Sequence, residues 1–156
     1  MKIKLVPYKD LWIRIGLAAL LALFFEFLGE ESFDSVVSHW MFIPDLLAGF
    51  ILVFVITSFV RFVSMRLDKK FPWNKKLLPR ILLQFLLGVV LPSLFVLAYV
   101  YVYLYPVMKA YKEEVVFFDT EFPIAVLFII FWNLVYVGYF FAAESKKAKE
   151  DQPGNK

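Results

Sequence analysis

Four long apolar runs separated by polar linkers decide what this chain can fold into. They cover approximately residues 12–29, 42–63, 79–105 and 122–143. Each approaches or exceeds the ~20 residues that carry a helix across ~30 Å of hydrocarbon. Strands are a poor alternative. Isolated ones leave backbone groups unpaired in lipid, and spanning strands show shorter, alternating segments. A soluble domain is excluded by proportion: of 156 residues, 62% are hydrophobic and 20% aromatic, more than the interior of so small a domain can hide. The expected architecture is an all-α membrane protein. A four-transmembrane-helix bundle occupies residues 1–143, and a polar cytoplasmic tail or linker start occupies 144–156. The end of that tail, "KKAKEDQPGNK", reads as disordered.

The charges between the runs give a direction. Lys2, Lys4, Lys9 and Arg14 precede or begin the first run. Arg61, Arg66, Lys69, Lys70, Lys75, Lys76 and Arg80 lie in or beside the second linker, and Lys146, Lys147, Lys149 and Lys156 lie in the tail. The first linker has no Lys or Arg but carries Glu30, Glu31 and Asp34. The third has Lys109 and Lys112 against Glu113, Glu114, Asp119 and Glu121. Basic residues stay on the cytoplasmic side. Placing both termini and the middle linker inside puts fifteen of the 17 Lys and Arg residues there. The first run ends in "FEFLGEES" with no small-x-small cleavage pattern, so it reads as a retained span rather than a signal peptide.

The middle linker, "RLDKKFPWNKKLLPRILLQ", is the most polar interior stretch. Its cations fit the anionic headgroups of the bilayer, at roughly 1 kcal/mol per basic residue near the surface. Trp73, beside Pro72, suits an interfacial anchor. Pro79 suits the first turn of the third span, where a missing N–H costs nothing. Arg80, Gln84, Gly88 and Pro92 then follow at intervals of four, a single stripe on one helix face. Pro92 removes a backbone hydrogen bond and crowds the Gly88 carbonyl, so a mid-span kink is expected. The stripe reads either as a two-state element that relays an outside event inward or as a packing face, with Arg80 snorkelling to headgroups. A glutamine one turn into the membrane needs a partner. Gln84 is therefore expected to bond another span, and Arg80 to bridge Asp68 or a carbonyl of the Phe71–Trp73 turn.

Three further polar residues fall within the apolar runs. Glu26 and Asp45 lie near the outer ends of spans one and two and form a candidate outer polar cluster, with boundary snorkelling and helix capping as the plainer alternative. Asn133 lies deeper and reads as a helix-packing residue. "YVYVYLY", Tyr99 to Tyr105, reads as an aromatic belt at the outer end of span three. Ala18–Ala22 and Gly138–Ala142 are small-x-x-x-small pairs that read as packing seams.

No catalytic constellation accompanies this pattern. There is no cysteine, one histidine (His39), no phosphate-binding glycine loop and no G-x-S-x-G or H-E-x-x-H motif. No enzyme activity, cofactor or metal is expected, and no motif names a ligand.

The stretch "LDKKFPWNKKLLPRILLQFLLGVVLP", Leu67 to Pro92, resembles the four-helix membrane modules at the N-terminus of LytTR-type transcriptional regulators of the Bacteroidetes kind. Their middle loop resembles L-D-x-x-[FY]-P-W, followed by R-x3-Q-x3-G-x3-P, which this chain matches at Arg80, Gln84, Gly88 and Pro92. "FPIAVLFIIFWNLVYVGYFF", Phe122 to Phe141, is similar to their last span, Asn133 and Tyr136 included. The resemblance covers nearly all of the chain. It implies a non-enzymatic sensor or anchor module in a bacterial cytoplasmic (inner) membrane, coupling an envelope signal to a cytoplasmic output. Such regulators continue into a DNA-binding domain, whereas this chain itself is not expected to bind nucleic acid. With the small-residue pairs, the resemblance makes a homodimer the expected assembly. The alternative function is a small oligomeric channel or transporter whose path Glu26, Asp45 and Asn133 would line.

Overall fold

A computed structural model of the chain describes residues 10–27, 34, 37–38, 42–104, 106 and 117–151. The first- and third-linker residues Glu30, Glu31, His39, Lys109, Lys112, Glu113 and Glu114 lie outside the described set, as do Lys2, Lys4, Lys9, Tyr105 and Lys156. Among the described residues there is no strand. Four helices dominate: α1 (Leu11–Phe27), α2 (Phe42–Lys70), α3 (Leu77–Tyr103) and α4 (Phe122–Glu150).

Three of them, α2, α3 and α4, are long and apolar enough to cross a membrane. The 17 described residues of α1 span about 26 Å at 1.5 Å each, slightly short of the hydrocarbon thickness. Only 22% to 28% of the apolar window in each long helix is buried against protein. Leu47, Ile51, Val55, Phe62, Leu82, Leu86, Leu127 and Leu134 all face outward. Such surfaces are stable only in an apolar solvent, so the chain is built as a membrane protein.

The helices run alternately up and down. Asp10 of the α1 entry meets Arg61, Ala22 meets Gly49 with 3.6 Å available to a Cβ there, and Phe27 meets Phe42 at 6.5 Å between rings. This antiparallel register lays α1 along one side of α2, and Ala18 and Ala22 form its buried seam. The core lies among the other three helices, where Ile56 and Val60 of α2, Val89, Val96 and Val100 of α3, and Ile129, Trp132 and Tyr136 of α4 interlock. Phe59 and Phe95 close the α2–α3 contact edge to face at 5.9 Å.

Several expectations need correction. The helix of the second apolar run does not end with the run at 63, because α2 continues through the charged segment to Lys70. The connector shrinks to Phe71–Lys76, closed by the Lys75 and Lys76 amides donating to the Pro72 carbonyl at 3.1 and 2.9 Å. The last helix also continues to Glu150, so the start of the tail is not disordered. Water and headgroups do not end a helix. Segments rich in Arg, Lys, Glu and Ala propagate one beyond the hydrocarbon. Gly138–Ala142 is not a seam within this chain, since both residues are exposed and a Cβ at Gly138 would meet nothing within 4 Å. The irregularity ahead of Pro92 is a π-helical turn at Leu86–Val90, with the Leu91 amide donating to the Leu86 carbonyl. A π turn absorbs the proline within a continuing helix.

Candidate functional site

The interior of the three-helix core is polar along one line. Arg80 is 1% exposed, Gln84 5% and Asn133 5%. Arg80 sits in the first turn of α3 and does not snorkel. Its Nη1 donates to the Phe71 carbonyl at 3.1 Å, its Nη2 to the Ser64 carbonyl at 3.2 Å, and its Nε to Gln84 Oε1 at 3.2 Å. Nη2 also lies 2.7 Å from Asp68 Oδ1, and the guanidinium covers the Trp73 ring at 4.6 Å. One cation therefore fastens the end of α2, the Phe71–Lys76 turn and α3 together. Trp73 packs under the Arg80 guanidinium, and Pro72 supplies the carbonyl that closes the turn.

Arginine can only donate, and that fixes the polarity of everything beyond it. Gln84 must turn its oxygen to Arg80, so its Nε2 faces away. That nitrogen donates to Ser64 Oγ at 3.1 Å and to Asn133 Oδ1 at 2.5 Å. Asn133 must then aim its own Nδ2 onward, where it donates to the Gly88 carbonyl at 2.8 Å and the Ile129 carbonyl at 2.7 Å. In a regular α-helix the Gly88 carbonyl would accept from the amide of residue 92, but proline has none. The side chain of Asn133 donates to that carbonyl from another helix.

Gly88 is required by the same geometry. A Cβ there would overlap Asn133 Oδ1 and lie 2.9 Å from Gln84 Nε2. Only a glycine lets the two amides meet against the α3 backbone. Arg80, Gln84, Gly88 and Pro92 are thus four parts of one arrangement, completed by Asp68, Ser64 and Asn133. Interhelical hydrogen bonds in membranes contribute about 0.6–2 kcal/mol each, and helix association there lacks the hydrophobic drive it has in water. A joined set of such bonds therefore does much to decide how α2, α3 and α4 sit together.

A second buried cluster ties α1 to α2 and α4. Asp10 is 1% exposed and accepts from Arg14 Nε and Arg61 Nε, both at 3.2 Å, on one oxygen. The Tyr136 hydroxyl donates to its other oxygen. Arg14 also donates to Ser58 Oγ at 2.6 Å and lies 5.4 Å over the Phe54 ring. Trp132 stacks edge-on to Tyr136 at 5.2 Å and donates to the Thr57 carbonyl. Sequence reasoning used Arg14 and Arg61 only as counted charges and passed over Asp10. The available signal was an Asp four residues before an Arg at the start of an apolar helix.

At the opposite end, the Tyr99 phenol lies within electrostatic reach of Asp45, Tyr103 and Glu26. Tyr99 and Tyr103 stack at 5.2 Å, while Tyr101 is exposed. The α1–α2 register, set by Ala22 against Gly49 and Phe27 against Phe42, brings Glu26 and Asp45 to the same level. Asn133 is not part of this group. It lies among α3 and α4 with its amide committed to Gln84, Gly88 and Ile129, so Glu26, Asp45 and Asn133 do not line one path within the chain. Among the described residues, no group of three or more His, Cys, Asp or Glu side chains is placed to hold a metal.

No protein-family model, curated protein or solved structure matches this chain.

Proposed function

We propose that the chain is a non-enzymatic sensor or anchor module of a LytTR-type bacterial signalling protein. In this reading it lies in the cytoplasmic (inner) membrane with four spans and both termini inside. The observation that carries the reading is the joined polar set from Asp68 through Arg80, Gln84 and Asn133 to the Gly88 carbonyl. It links the basic turn between α2 and α3 to α4, the helix that leaves the bilayer as a continuous rod to Glu150. A displacement of α3 therefore moves the inner turn and the tail together, which is what coupling an envelope event to a cytoplasmic partner requires.

The charge asymmetry supports the orientation, and the close α1–α2 register supports counting α1 as a span. Two assays test the reading. A reporter fused after Lys156 should be active only in the cytoplasm. In liposomes, spin labels placed at Phe71 and Lys149 of this cysteine-free chain should report a changed distance distribution in Gln84→Leu, while the variant still inserts. Periplasmic reporter activity, or identical distance distributions, would remove the coupling model. Ion flux through wild-type liposomes would favour a channel instead.

A further inference from the structure

The outward face of α2 carries a groove that shares only Arg61 with the buried polar clusters. At its basic end, Arg61, Phe62, Met65, Arg66 and Lys69 line an open groove of about 400 Å³. Arg66 lies 5.1 Å over the Phe62 ring, which fixes the guanidinium at the rim. These five residues occupy one arc of the helix at 3.6 residues per turn. Leu47, Ile51 and Val55, all more than half exposed, continue the same arc toward the other end. A single face thus passes from a long aliphatic track, through an aromatic ring, to three cations within about two turns.

We propose that this face binds one anionic phospholipid of the cytoplasmic leaflet, its phosphate held among Arg61, Arg66 and Lys69 and an acyl chain laid along Phe62, Val55 and Ile51. The occupant follows from complementarity. The cations sit where the apolar track ends, as phosphate sits at the end of an acyl chain, and the Asp10 carboxylate bonded to Arg61 lies inside the bundle. A soluble anion would use the cations and leave the track uncovered. The site reaches inward through Arg61, whose Nε donates to Asp10 and so touches the cluster that holds α1 and Tyr136. The inference rests on the membrane placement of α2 proposed above and is independent of the relay.

The test uses the full chain in phosphatidylcholine bilayers with trace spin-labelled phosphatidylglycerol or phosphatidylcholine. The immobilised fraction should show selective binding of the anionic lipid at about one per chain, with each nearby cation contributing roughly fivefold. Arg66→Gln with Lys69→Gln removes two exposed cations outside the buried clusters and should reduce that selectivity by roughly tenfold or more. The matched pair Lys146→Gln with Lys147→Gln, on the exposed end of α4, should leave it unchanged. Millimolar inorganic phosphate should not displace the lipid. Equal immobilisation of both lipids, equal losses in the two double variants, or displacement by phosphate would each overturn the site while leaving the membrane placement intact. Failure of the chain to associate with bilayers at all would overturn both.

Discussion

Asn133 donates its side-chain amide to the carbonyl of Gly88, 2.8 Å away on another helix. That carbonyl lacks its α-helical partner because residue 92 is a proline. The proline, the glycine beneath it and the asparagine opposite form one solution to one backbone defect. Gln84 and Arg80 extend the solution to the turn between α2 and α3.

Glycine at 88 should be irreplaceable where glycine at 138 is not. Gly88→Ala drives a methyl into Asn133 and Gln84 and should lower stability by about 1–3 kcal/mol, the usual cost of overpacking. Gly138→Ala meets nothing within 4 Å and should be neutral or stabilising by up to about 1 kcal/mol through helix propensity. Thermal unfolding in detergent, read by circular dichroism, compares the two. Equal effects would mean that the amide contact at Gly88 does not matter.

Arg80→Lys should fail as a conservative change. Lysine keeps the charge near Asp68 but cannot reach Gln84, Phe71 and Ser64 at once or lie flat on Trp73. Hydrogen bonds to a charged group contribute about 1.5–3 kcal/mol. The Lys75 and Lys76 amides, which close the turn on Pro72, should therefore exchange hydrogen roughly tenfold faster or more. Unchanged protection would show that the turn holds itself together.

The two variants of the α1 cluster should separate in size. Asp10→Asn leaves Arg14 and Arg61 facing each other without their carboxylate and should cost about 3–5 kcal/mol, as breaking a buried ion pair does. Tyr136→Phe removes one hydrogen bond to a carboxylate that keeps both arginines and should cost about 1–3 kcal/mol. Denaturant titration of the two proteins gives the order, and the reverse order would contradict the assignment of Asp10 as the centre of the cluster.

How much of this was legible depended on range. The four-residue spacing of Arg80, Gln84, Gly88 and Pro92 was visible because helical periodicity is local. The need of Gln84 for a partner followed from the cost of a bare amide in hydrocarbon. That the partner would be Asn133, 49 residues away, followed from no spacing, and Ser64 was an unremarked serine just past the end of an apolar run. The Asp10 cluster was hidden more deeply. Its members lie 51 and 126 residues apart, and counting Arg14 and Arg61 toward orientation masked their pairing. Helix ends were not legible, because hydropathy marks the edge of the hydrocarbon, whereas α2 and α4 continue past their apolar runs to Lys70 and Glu150.

The direct test of the central claim is a double-mutant cycle between Asn133 and Pro92. Asn133→Leu alone removes the donor that reaches the Gly88 carbonyl from another helix and should cost about 1–3 kcal/mol. Pro92→Ala returns a backbone N–H that can bond that carbonyl within the helix. In the Pro92→Ala background the same Asn133→Leu change should therefore cost less, by a coupling of about 1 kcal/mol in reversible unfolding. Losses of the bonds to Gln84 and Ile129 are common to both backgrounds and cancel. A smaller cost of Asn133→Leu when residue 92 is alanine is the result this account predicts. Strict additivity of the two substitutions would contradict it.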